Sequence, residues 1–454
     1  MKASKTLIPV TPLSWLEKTY VGILLAIFGG IVLHAPLTVG LGVLFPSFDL
    51  IIKSWKEILM GIASVIALIL LYHKQRFEVL KHPVMYVIAG YALLHLLLLP
   101  VLWQGATASI AGLFIDLRYL LFFVLVYTAV ALYPRLRPAF IYTFFAGAFA
   151  VAAFSMLQVF VLPHDVLKCI GYGNETIVPY LTVDQNPEFV RINSTLRGPN
   201  PLGAYAGIVL ALLFAFWLRA KQTKPMNYKW AFSVIVIGSF VGLWVSYSRS
   251  ALVAAITAFG IVALATIGRQ LPRKVWIGVI VAIFALGGAF AFGATTPQGS
   301  NFVSNVILHE NAATGSAISS NDGHVESLRD GVARMLRQPL GGGVGSTGSA
   351  SLRGDSPLII ENQFLFISHE TGWLGLILFA TLTFLVLRGL WRNRADWLAL
   401  GVFAGGIAMV LIGLLLPVWV DDTVSIIWWG LAAVALAGTP VSETVKQMKK
   451  GRSR

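Results

Sequence analysis

Charge is scarce in this chain. Asp, Glu, Lys and Arg make up 12% of its 454 residues, against about 25% in an ordinary soluble domain. Acidic residues are scarcer still, 20 against 34 basic ones. Cysteine is nearly missing: Cys169 stands alone, which excludes an intramolecular disulfide and a thiolate metal cluster and leaves it most simply as an inert loop residue. No small-residue cleavage motif follows the first apolar run, so that run is expected to act as an uncleaved insertion signal. There is no repeat of fixed period and no extended low-complexity segment, whereas many transporters betray two related halves.

Apolar surface takes the place of these features. Hydrophobic residues are 57% of the chain and the mean hydropathy is +0.78, more than a soluble domain could hide, so lipid must serve as solvent. A bilayer core needs about 20 apolar residues per helix. Runs of that kind lie at 20–40, 55–72, 84–103, 110–133, 139–162, 201–218, 230–245, 251–267, 275–293, 364–387, 397–416 and 424–437, which predicts about twelve spans. The segment 33–53 fits this scheme least well. The fold class expected is all-α: a polytopic integral membrane protein forming a single transmembrane domain over 1–454. Two long polar loops interrupt it, 163–200 and 294–363, the second carrying an amphipathic helix.

Basic residues test the scheme. Lys2, Lys5 and Lys18; Lys74, Arg76 and Lys81; Arg135 and Arg137; Arg219, Lys221, Lys224 and Lys229; Arg269, Arg273 and Lys274; Arg388, Arg392 and Arg394; and a cluster from Lys446 to Arg454 fall in alternate loops. That asymmetry predicts cytoplasmic termini and places both long loops on the far side of the membrane. The net charge of +14 therefore follows from membrane insertion and calls for no nucleic acid.

Four polar signals stand out. The first is RINSTLRGPNPLGAY, Arg191 to Tyr205. Gly198, Pro199, Asn200 and Pro201 punctuate it, and a helix is expected to begin near Pro201 with Asn200 as its cap. The free amides of such a helix, beside Arg191 and Arg197, suit an anion, phosphate above all. Pairing of these arginines with lipid headgroups, Asp184 or Glu188 is the plain alternative. The second is VSYSRSALVA, where Arg249 is the one charge of a very short turn, set either toward a water-filled cavity or snorkelling to the surface.

The third runs from Asn321 to Gly348. Val325, Leu328, Val332 and Met335 recur at helical spacing, His324 and Glu326 sit in the first turn, and Pro339 ends the helix before the glycines of PLGGGVG. Glycine backbone of this kind can turn several amides toward phosphate oxygens, although many such loops are only loops, and this one lacks a P-loop lysine. The fourth is ENQFLFISHETGWLG, Glu361 to Gly375. Glu361 could take a proton from a sugar hydroxyl as general base, or be a carboxylate at a helix start. His369 is more often an interior hydrogen-bonded histidine than a catalyst.

In this order the four signals resemble the O-antigen ligase and O-antigen polymerase superfamily. The resemblance spans Arg191 to Gly375 and includes Asn362 followed by nine residues and then the GxxG of Gly372 to Gly375. It implies a GT-C-like glycosyltransferase that moves a glycan from an undecaprenyl diphosphate donor to an acceptor sugar at the periplasmic face of the bacterial inner membrane, with no cofactor, no metal and no nucleotide sugar. Its ligases use the sugar core of lipid A as acceptor. In them arginines hold the diphosphate, for which Arg191, Arg249 and Arg197 are the counterparts here, and a histidine just before the asparagine is the base. This chain has Glu361 there, so either Glu361 or His324 does that work, with Asn200, Asn362 and His369 in support. The departure leaves a polymerase as the alternative to a ligase. A transporter is a third reading, for which Asp116 and Arg118 are the best case, while Asp421 and Asp422 lie at an outer helix end.

Overall fold

A computed structural model describes residues 12–183, 186–219, 229–268, 292, 296 and 320–438, with residues 320–324 described by backbone alone. The span expected at 275–293, most of the loop at 294–319, Asp184 and both chain ends lie outside the described residues.

The first apolar run is longer than expected. Helix α1 (Trp15–Gly30) opens on a capping box in which Ser14 and Glu17 satisfy each other's backbone amides. It passes through a tight 3-10 turn (Ile31–Leu33) into α2 (His34–Leu44). Pro36 explains the interruption: it has no amide to return to the Val32 carbonyl, and its ring crowds the preceding turn. The short α3 (Asp49–Lys53) then leads into α4 (Trp55–Lys74), so the troublesome segment 33–53 is half a helix and half a corner between helices.

The chain continues with α5 (Pro83–Leu98), α6 (Ala106–Leu132), α7 (Arg137–Phe160), α8 (Pro199–Arg219), α9 (Lys229–Val245) and α10 (Arg249–Thr266). After the undescribed stretch come α11 (Ser320–Arg337), α12 (Gly348–Ser351), α13 (Gln363–Arg392), α14 (Trp397–Gly413) and α15 (Asp422–Ala437). Among the described residues 7 helical runs are long and apolar enough to cross a membrane. Helices α5, α9, α14 and α15 are apolar but only 16 or 17 residues long, about 25 Å of rise against a core of about 30 Å. The chain is thus a mostly helical, multi-pass membrane protein. The first long loop adds what an all-α reading did not foresee, an antiparallel hairpin of β1 (Tyr180–Val183) and β2 (Asn186–Ile192), with Tyr180 opposite Ile192.

Small residues let the helices meet closely, as packing in lipid requires. Gly401 of α14 faces Leu212 and Ala215 of α8, Gly406 faces Trp428, and Gly430 of α15 faces Phe28 and Phe122. Trp419, Trp428 and Trp429 pack tilted or edge-on against one another, and Tyr119 stacks on Trp429, all of them buried.

Contacts between distant loops sort the two ends of the bundle. At one end Lys74 and Tyr133 both reach Glu17, each at 2.7 Å, and Arg137 pairs with Asp396. At the other, Gln104 meets the Gly342 carbonyl at 2.7 Å, Asn362 the Leu414 carbonyl at 2.7 Å, and Arg191 the Ser246 carbonyl at 2.8 Å. Loops that alternate along the sequence thus gather at opposite ends, and all four polar signals share the second.

Candidate functional site

Arg191, the next-to-last residue of β2, joins the first two signals. Its Nε donates to the Ser246 carbonyl at 2.8 Å and its Nη2 to Asn200 Oδ1 at 2.6 Å. One planar guanidinium thereby spans the turn that carries Arg249 and the first turn of α8. The two elements fit tightly because position 203 is glycine: a Cβ there would lie 2.7 Å from Ser246 Oγ and 2.9 Å from Ala251 Cβ. The helix start differs from expectation. It begins at Pro199, whose fixed φ suits the first helical position, and the Gly198 carbonyl accepts from the Leu202 amide at 3.1 Å. Asn200 is therefore inside the helix, holding Arg191 and not capping.

Arg197 lies elsewhere, on the rim of a cavity of about 920 Å³. One wall is apolar, from α2 and the first turns of α6; Ser349 and Arg353, just after the glycine loop, close another. Arg197 and Arg353 are exposed, and neither side chain makes a hydrogen bond or close ion pair among the described residues. The floor is an ionic network. Asp422, the first residue of α15, receives Arg118, Lys56 at 2.9 Å and His34 at 3.0 Å, and Glu57 sits 3.2 Å from Lys56. The Trp55 indole donates to His34 Nδ1 at 3.0 Å, which places the imidazole proton on Nε2, toward Asp422. Asp421 caps α15 by accepting from the Val424 amide at 2.9 Å. Burial pushes its carboxyl up, against the Val424 amide and the nearby Arg197 and Arg118.

The glycine loop is engaged within the protein. Helix α13 breaks at Gly372, with φ 68° and ψ −168°, and in a continuous helix the Trp373 amide would bond the His369 carbonyl. Here it bonds Pro339 at 2.9 Å, while the His369 and Glu370 carbonyls accept from the amides of Gly342 and Gly343. The Thr347 amide donates to Glu370 Oε1 at 3.3 Å and that of Gly348 to the Leu358 carbonyl at 2.8 Å. The amides that might have met phosphate oxygens are thus largely committed to completing an interrupted helix. Gly345, at φ 85°, presses on α6, where a Cβ would overlap the Ala108 carbonyl. Gly345→Ala is expected to cost about 1–2 kcal/mol from the left-handed backbone alone and more from the overlap. A lower melting temperature in detergent checks this; an unchanged one refutes it.

Glu361 and His324 arise from elements that touch. The Glu361 amide donates to Ser327 Oγ at 3.1 Å, and His324 stands one helical turn before Ser327 in α11; its side chain lies outside the described residues. Asn362 caps α13, accepting from the Phe364 and Leu365 amides at 2.9 and 3.0 Å. His369 is buried, 3.0 Å from where a Cβ of Gly342 would be, and so buttresses the glycine loop. The sequence reading missed Lys56, His34, Glu57 and Arg353 altogether. It named Arg118 and Asp422 separately, with only the cost of charge inside apolar runs to suggest that they were partners.

Fold and site together define a multi-pass membrane protein with the four polar signals gathered in loops and recesses at one end of the bundle. Residues 234–380 match the family model O-Antigen ligase, which supports the likeness of this segment to the O-antigen ligase superfamily. The match takes in the SYSRSA turn, the glycine loop and the Glu361 to Gly375 segment, and stops short of Arg191. No curated protein matches the chain.

Proposed function

We propose that this protein is an O-antigen ligase of the bacterial inner membrane. It transfers a polysaccharide from undecaprenyl diphosphate to a sugar of the lipid A core at the periplasmic face, without a metal. The observation that carries this reading is the assembly of the four signals at one end of the bundle: Arg191 holds the Arg249 turn, the glycine loop fills the break in α13, and Arg197 shares a cavity with Ser349 and Arg353. The basic loops gather at the other end, which supports cytoplasmic termini and a periplasmic site.

The residues suit the chemistry. The bond between the donor sugar and the diphosphate breaks as the acceptor oxygen bonds to that sugar carbon, and the acceptor's proton passes to Glu361 or His324. Negative charge grows on the departing diphosphate, where the guanidiniums of Arg191 and Arg249 stabilise it in the role otherwise given to a metal ion. An apolar cavity wall beside exposed arginines fits a lipid whose head is anionic.

Glu361 in place of the ligases' histidine favours a second reading, a polymerase whose acceptor is another lipid-linked glycan. Purified protein given donor, lipid A core acceptor and a chelator is expected to form ligated lipopolysaccharide, and Glu361→Ala to slow it about a hundredfold if that carboxylate is the base. Lengthened lipid-linked chains in place of ligated product would identify the polymerase. A strict requirement for added metal would overturn the mechanism.

A further inference from the structure

Helix α11 presents three different faces. One meets the bundle: a Cβ at Gly331 would lie 2.9 Å from Leu365 Cδ1 and 3.5 Å from Ile360 Cγ2, and Ser327 Oγ accepts from the Glu361 amide at 3.1 Å. The second is charged, with Glu326, Asp330 and Arg337 exposed and Arg334 bonded to Asp330 at 2.6 Å. The third is an apolar stripe turned away from the bundle. Val325, Val332 and Leu336 follow one another along it at helical spacing, with Arg329 in line between the first two, and Leu340 extends it past the end of the helix. All four apolar side chains are exposed, Leu336 by 64% and Leu340 by 67%. The sequence placed Val325 and Val332 on one face with Leu328 and Met335; the structure divides that face, since Leu328 and Met335 are half-buried. A contiguous apolar stripe of this kind marks a contact surface.

Two hydrogen bonds set its level. Trp373, the first residue after the break in α13, donates its indole Nε1 to the Met335 carbonyl at 2.7 Å and its amide to the Pro339 carbonyl at 2.9 Å, so the last turn of α11 is pinned beside it. From Trp373 the helix runs on for about 20 residues to Arg392, about 30 Å of rise, which is the thickness of a bilayer's hydrocarbon core. An exposed tryptophan at one end of that run and Arg388 and Arg392 at the other are the usual markers of the two interfaces. Between them Leu374, Ile377 and Phe384 are exposed, as lipid-facing residues are. The stripe of α11 therefore continues an apolar surface that meets lipid, at the height where hydrocarbon gives way to headgroups. Arg329 fits that height. Its side chain makes no hydrogen bond or ion pair among the described residues, so its stem can lie along the stripe while the guanidinium reaches a phosphate.

We propose that α11 is an interfacial helix docked on the lipid surface at the site end of the bundle, with Val325, Val332, Leu336 and Leu340 among the acyl chains and Arg329 on a lipid phosphate. Buried apolar area and attraction to anionic lipid then hold it together, and its charged face is left in water.

Spin labels on the full chain in phospholipid nanodiscs test this. Cys169 is the only cysteine, so a Cys169→Ser chain can carry a single label at Val332→Cys, at Leu336→Cys or, on the charged face, at Glu326→Cys. The labels at 332 and 336 are expected to relax several-fold more with oxygen, which concentrates among acyl chains, than with a water-soluble nickel chelate, and the label at 326 to show the reverse. In discs containing anionic lipid, Arg329→Glu is expected to raise nickel access at 332 about twofold or more; no change would strike the phosphate contact. Nickel access at 332 and 336 equal to that at 326 would put the stripe in water and overturn the proposal. Shielding from both reagents would overturn it too, by showing that protein, from this chain or a second copy, covers the stripe. None of these readouts needs glycan transfer, so a failure of the functional reading is seen separately.

Discussion

Arg191→Ala is expected to slow glycan transfer about a hundredfold or more, the usual effect of removing one preorganised group that stabilises transition-state charge. Arg191→Lys should recover little. Lysine keeps the charge but not the fork, and the fork is what reaches Ser246 and Asn200 together. The substitution therefore acts twice, removing a cation from the diphosphate and loosening the turn from which Arg249 projects. Initial rates at saturating donor measure it, with Asn200→Ala as a companion that loosens the same joint without removing charge. Undiminished turnover in Arg191→Ala would strike this residue from the site.

The second large effect is on stability. Asp422→Ala leaves Arg118 and Lys56 with Glu57, 3.2 Å from Lys56 and 3.9 Å from Arg118, as the carboxylate still near both. Breaking a fully buried ion pair from one side typically costs about 3–5 kcal/mol, and the partial exposure of Asp422 and the nearness of Glu57 set the loss here below that. The melting temperature in detergent is expected to drop by several degrees, and that of Asp422→Asn by less, since the amide can still accept from a guanidinium. If Asp422→Ala melted with the parent, the network under the cavity would not be holding α4, α6 and α15 together.

The helices were legible because lipid makes a simple demand: a long apolar run has no other way to satisfy its backbone. The joints were not. Pro36 marks the bend between α1 and α2 only once the run is known to continue past it, and the Tyr180–Ile192 hairpin sits in a loop whose punctuation hid its alternation. At the site, sequence order was enough to associate Arg191, Arg249, Glu361 and the glycines, but not to say what each glycine amide would meet. The commitment of Gly342 and Gly343 to His369 and Glu370 depends on a helix break nearly thirty residues downstream, a pairing no local pattern announces. The network of Lys56, His34 and Asp422 was hidden for the same reason, since its members come from three distant stretches that each read as an ordinary helix end.

The broken helix has a consequence for biogenesis. Residues 339–348 leave the ribosome before α13 exists, so the amides that will fill its gap must stay in water until that helix has been threaded into the bilayer. Helix α13 meanwhile cannot enter with two bare carbonyls at Gly372 unless something stands in for the missing turn. Loop and helix must therefore reach the membrane interface as a pair, and the last third of the protein is bound to mature as one step.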